Sequence, residues 1–116
     1  MDFLDMQLLV TIIKDYKKVE DLLLAFVGIE ITGSTILEGK GMGQLLGDVP
    51  IMADLRGLFP GSGLDSYLIL TVLDSSKLTP ALDLVEKICG KMENPSEGIA
   101  FSVPIGQVRG VKGGLI

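Results

Sequence analysis

The sequence predicts an α+β fold of order βαββαβ, one antiparallel sheet with two helices on the same face. Three observations predict it. Sliding the chain against itself sets Leu8 on Leu68, Thr11 on Thr71, Lys17 on Lys77, Leu22 on Leu82 and Leu24 on Leu84, so the chain holds an internal repeat. Each copy opens with a continuous apolar run of strand length, crosses a polar turn and changes to helical spacing. A further strand candidate follows each helix.

The first strand is expected at residues 8–13, LLVTII, and its repeat at 68–73, LILTVL. In the first helix Val19, Leu22, Leu23, Phe26 and Val27 fall at i, i+3, i+4, i+7 and i+8, one buried face. Asp15 can cap its start and Gly28 can end it. The second strand is expected at 30–38. Thr79 and Pro80 mark the entry of the second helix, because proline loses no hydrogen bond there. Leu82, Val85, Ile88, Cys89 and Met92 form its predicted buried face, with Gly90 near its end, and a last strand is expected at 98–104. Two βαβ units of this kind make the split, ferredoxin-like arrangement. With both helices on one face, the apolar strands leave apolar side chains on the other. A surface of that kind marks an association face, and a closed homo-oligomer is expected to bury it.

Composition narrows the function classes. A chain of 116 residues reads as one domain, 1–116, with one core. Histidine is absent, which removes the usual general base and the commonest metal ligand, and the single cysteine, Cys89, rules out paired-cysteine metal carriage and an internal disulfide. Cys89 itself reads as a buried thiol. The formal charge of −5 argues against nucleic acid as a partner. No apolar run approaches the ~20 residues of a membrane span, so no membrane insertion is expected. Asp2 and Asp5 stand where a signal peptide carries positive charge, and a cytoplasmic protein is expected. Glu30, Glu38 and Asp74 are scattered, and no nucleophile stands beside a base, so no catalytic residue is assigned and no enzyme is expected.

The stretch EGKGMGQLLG carries glycine at 39, 41 and 43. It is not a dinucleotide fingerprint, since Gln44 and Leu46 fall where the third glycine belongs, and not a P-loop, since Gly41 follows Lys40. On its own it is either a nucleotide-facing turn or a flexible strand exit.

The wider segment IIKDYKKVEDLLLAFVGIEITGSTILEGKGMG resembles the first half of the PII signal-transduction (nitrogen regulatory) proteins, and YLILTVLDSSKLTPALDLVEKI and EGIAFSVPIGQVRGV resemble their second half. Its most specific pieces are Gly33 to Thr35, Lys40 to Gly43 and the strand from Glu97 to Pro104. The resemblance implies a ferredoxin-like homotrimer that senses an adenine nucleotide in clefts between subunits and regulates a transporter or a metabolic enzyme through a long loop. It implies that Thr35 contacts the adenine with help from Gly33 and Ser34, and that Gly41, Met42 and Gly43 bring backbone close to the nucleotide. Lys40, Arg109 and Lys112 are candidate ligand contacts, and the loop holding Glu97 and Gly98 is the phosphate-side loop. Ile99 replaces the family lysine after the loop glycine, Gly110 and Lys112 stand at the two arginine positions, and Leu45 replaces the glutamine that helps bind magnesium and 2-oxoglutarate. Charge-assisted hydrogen bonds contribute about 1.5–3 kcal/mol each, so AMP or ADP is expected over ATP, with magnesium left open.

The expected partner-facing loop, about 44–65, is unusually apolar, and Leu46, Ile51, Arg56 and Phe59 are its candidate partner contacts. Packing of the same residues on the oligomer is the alternative. At the level of function the rivals are a ligand-independent trimeric adaptor and a CutA-like protein with a degenerate cleft. An RNA-recognition module is disfavoured, because the strands beginning at Leu8 and Leu68 carry no aromatic residue for base stacking.

Overall fold

The computed structural model describes residues 5–47, 65–94 and 97–110. Its elements run β1 (Met6–Ile13), α1 (Tyr16–Gly28), β2 (Ser34–Gly39), α2 (Met42–Gly47), β3 (Ser66–Asp74), a 3-10 turn (Ser75–Lys77), α3 (Leu78–Cys89) and β4 (Ile99–Pro104). The strands form one sheet in the order β2-β3-β1-β4, and every neighbouring pair is antiparallel. The predicted ferredoxin-like α+β architecture is the observed one.

Strand alternation divides the sheet into two unlike faces. On β1 and β3 the odd-numbered residues, Leu9, Ile13, Ile69 and Leu73, join the core beneath α1 and α3. Val19, Leu22 and Phe26 of α1, with Ala81, Val85 and Cys89 of α3, complete it. The even-numbered residues point the other way. Register sets Leu8 beside Val72 and Val103, Val10 beside Leu70 and Phe101, and Ile12 beside Leu68 and Ile99. Leu37 of β2 stands beside Leu68 on that same face. No helix covers it among the described residues, and Ile99, Phe101 and Val103 are 53%, 43% and 43% exposed.

Three helix ends follow the sequence, but α3 opens at Leu78 behind Lys77, so Pro80 is its third residue and Thr79 does not cap it. Asp15 accepts a hydrogen bond from the Lys17 amide at 2.9 Å, and α1 ends at Gly28. Gly90 closes α3 with φ +88, a conformation that favours glycine.

Four further details differ from the sequence reading. Strand β2 starts at Ser34, because residues 29–31 fold back on the end of α1: the Ile31 amide reaches Phe26 O at 2.9 Å and Glu30 takes φ +63. Val27 is 58% exposed, since the buried stripe of α1 is narrower than its apolar spacing. In α3 the buried face runs through Ala81, Val85 and Cys89, with Leu82 and Ile88 at its margin, and Met92 lies beyond the helix with φ +59. Residues 42–47, expected as turn and loop, form the short helix α2.

Candidate functional site

The sheet has two ends, and the candidate residues divide between them. Pairing of Gln7 with Pro104 and of Met6 with Asp74 defines an upper end, and pairing of Ile12 with Ile99 and of Gly39 with Ser66 a lower one. Gly33 precedes β2, which Ser34 and Thr35 begin toward the upper end, and exposed Arg109 follows β4, whose upper end is Pro104. Lys40 to Gly43 leave β2 at the lower end, and Glu97 and Gly98 enter β4 there. At about 3.3 Å per strand residue, Thr35 and Gly39 are about 13 Å apart. One chain therefore does not bring the two groups together.

At the upper end, alternation sends Ser34 and Thr35 to opposite faces. Ser34 Oγ lies 2.8 Å from Thr71 Oγ1, beneath the helices, so its hydroxyl serves the core. Thr35 pairs with Leu70 and is exposed on the open face, available to a ligand.

At the lower end, a cleft of about 340 Å³ is lined by Ile12, Lys14, Met92, Glu93, Asn94, Gly98 and Ile99. It lies where the open face meets the loop after α3. Gly98 has φ +111, and a Cβ there would stand 2.3 Å from Ile12 O, so the loop lies on β1 more closely than any other residue allows. Glu97 holds the loop in shape: its carboxylate accepts from the Met92 amide at 2.8 Å and from Asn94 Nδ2 at 3.0 Å. Its role is therefore to shape the loop from within, which the sequence did not reveal.

The glycine run leads from β2 to α2 beside this cleft. A Cβ on Gly41 would lie 4.0 Å from Lys14 Nζ, Gly43 is buried and Met42 is exposed. Lys40, expected as a ligand contact, lies 3.8 Å from Asp65 Oδ1, which also accepts from Gln44 Nε2 at 2.8 Å. These three residues join the two ends of the segment 48–64. Tyr67 borders the same corner, its ring 5.2 Å from that of Tyr16, and burial, then the Glu38 and Asp65 carboxylates, push its phenol up. Leu46 is half-buried on α2, while Ile51, Arg56, Phe59 and Lys112 lie outside the described residues.

Lys14 was the residue the sequence reading missed. The signal was present: carrying the alternation of β1 one step past Ile12 puts residue 14 on the open face. Among the described residues no group of three or more Cys, Asp or Glu side chains is placed to hold a metal ion. No helix among them is long and apolar enough to cross a membrane.

No protein-family model matches the sequence, and no curated protein does. Among solved structures the fold is similar to the crystal structure of Arabidopsis thaliana PII bound to citrate, with a TM-score of 0.65 and 14% identity over 95% of this chain and 83% of that one. The likeness is one of fold.

Proposed function

We propose that this chain is a PII-like sensor that forms a homotrimer, binds an adenine nucleotide between subunits and regulates a partner protein according to which nucleotide is bound. The observation that carries this reading is the division of the candidate site between opposite ends of one sheet, whose open face is apolar across all four strands. A copy packed on that face can set its upper group against the lower group of its neighbour, which makes one cleft per subunit. Thr35 would then receive the adenine, while Gly41 and Gly98 let backbone approach the phosphates. That a protein of this fold holds citrate agrees with a cleft suited to small anions.

Ile99 lines the lower cleft where the resemblance places a lysine, and Lys40 is paired with Asp65. Few cations therefore face the phosphates, and AMP or ADP is favoured over ATP. Regulation requires that the nucleotide bind two arrangements of the 44–65 segment unequally. The pairing of Lys40 and Gln44 with Asp65 ties together the residues on either side of 48–64, next to the glycine run. The regulated partner is a transporter or a metabolic enzyme met through this segment, and the chain itself acts by binding, without a catalytic residue.

Calorimetric titration with AMP, ADP, ATP and cyclic AMP, each with and without magnesium, tests the reading. Binding of one nucleotide near one per subunit, lost in Thr35→Ala and in Gly41→Val, is the expected result. Binding of none would leave the ligand-independent adaptor, which the engagement of Lys40 by Asp65 and of Glu97 by the Met92 amide favours.

A further inference from the structure

The lower cleft is an uneven mixture of chemistries. Ile12, Ile99 and Met92 make it apolar, Asn94 offers an amide, and its two charges among the described residues are Lys14 and Glu93. Lys14 is half-buried, and its Nζ stands close to the backbone of Gly41, the point where the chain leaves β2 for α2. It thus lies between the glycine run and the loop that ends in Gly98, on the face that a neighbouring subunit would cover. A cation among apolar groups is a stronger partner for an anion than one in open water, because the local dielectric is lower.

We propose that Lys14 receives the anionic end of the ligand in this cleft, and that a lining with one cation and one carboxylate selects a single phosphate over a triphosphate. The assignment rests on the nucleotide reading given above and adds to it the residue that sets ligand charge. AMP brings one phosphate to one ammonium group. ATP brings two more phosphates to a wall of isoleucine and methionine, with Glu93 beside it.

The experiment compares the full chain with Lys14→Met, Lys14→Arg and Ile99→Lys, each checked for a dispersed amide spectrum, in titrations with AMP, ATP, adenosine and inorganic phosphate. Lys14→Met is expected to weaken AMP roughly ten- to hundredfold, the loss of one charge-assisted hydrogen bond, and to leave adenosine binding unchanged. Lys14→Arg keeps most of the AMP affinity, and Ile99→Lys raises ATP affinity relative to AMP. Equal losses for AMP and adenosine, or no loss for AMP, overturn the role of Lys14. An unchanged ATP to AMP ratio in Ile99→Lys overturns the account of selectivity. Should the wild type bind neither AMP nor adenosine, the nucleotide reading fails and inorganic phosphate decides Lys14 by itself. Shifts of the Asn94 and Gly98 amides on adding phosphate, present in the wild type and lost in Lys14→Met, support the anion site; their absence overturns it.

Discussion

Gly98 shows how a single residue sets the shape of the cleft. Its φ of +111 is one that side chains rarely adopt, and an added Cβ would meet Ile12 O at 2.3 Å, a backbone atom that moves only with β1. Gly98→Ala is therefore expected to destabilise the protein by about 1–3 kcal/mol from backbone strain alone, and to open the lower cleft as the loop lifts from β1. Urea denaturation measures the first effect, and a titration with AMP the second. A variant as stable as the wild type would show that the loop does not need its close contact. Asp74 is a second residue with a readable consequence. The Ser76 amide, 2.8 Å away, and then the Ser76 hydroxyl hold its carboxyl below the ordinary carboxylate range. A group whose folded pKa is lowered stabilises the fold above its unfolded pKa and loses that contribution as pH falls through the folded value. Asp74→Asn should therefore be less stable than the wild type at pH 7, with the gap narrowing below about pH 4, near the unperturbed aspartate value. A gap of constant size in urea melts across that range would contradict the assignment.

At the scale of the elements, the internal repeat makes a prediction about the sheet. Thr11 and Thr71 are equivalent in the repeat, and both are fully buried beneath the helices. Thr71 shares a hydrogen bond with Ser34 across the β2 pairing, whereas the residue opposite Thr11 on β4 is Ala100, and Thr11 Oγ1 has no partner among the described residues. Thr11→Val removes a buried hydroxyl that gains nothing, so it should stabilise the fold by about 1 kcal/mol, while Thr71→Val should destabilise it. Thermal melts of the two variants check the opposite signs; the same sign for both would mean that the two hydroxyls have equivalent surroundings. The repeat, the apolar strand runs and the capping residues Asp15 and Gly90 made the fold legible, because each depends on neighbours in sequence. The candidate site was legible only as a set of segments. That Ser34 turns inward, that Asp65 engages Lys40 and that Lys14 stands beside Gly41 depend on pairings between strands and loops distant in the chain, and no local pattern encodes them.

For the whole molecule, the open face of the sheet is the feature with the largest consequence. Leu37, Leu68, Leu70, Phe101 and Val103 lie on this face around the buried Val10 of β1, and two of them, Phe101 and Leu37, are 43% and 49% exposed in the single chain. Removing a leucine, isoleucine, valine or phenylalanine side chain fully from water contributes about 1.5–3 kcal/mol, so association over this face would have a strong driving force. The same face carries Thr35 toward one end and Ile12 and Ile99 of the lower cleft at the other, so the proposed shared cleft would tie assembly to ligand binding. Phe101→Asp tests that tie with little disturbance to the single chain, because the residue already touches water at the outer strand β4. In light scattering the wild type is expected at three times the 12.4 kDa of the chain, and Phe101→Asp at the mass of one. The monomeric variant should keep its helical circular dichroism and lose nucleotide binding, since its two half-sites no longer meet. A wild type that is monomeric at micromolar concentration would remove the basis for a shared cleft, whereas a monomeric variant that still binds nucleotide would place the whole site within one subunit.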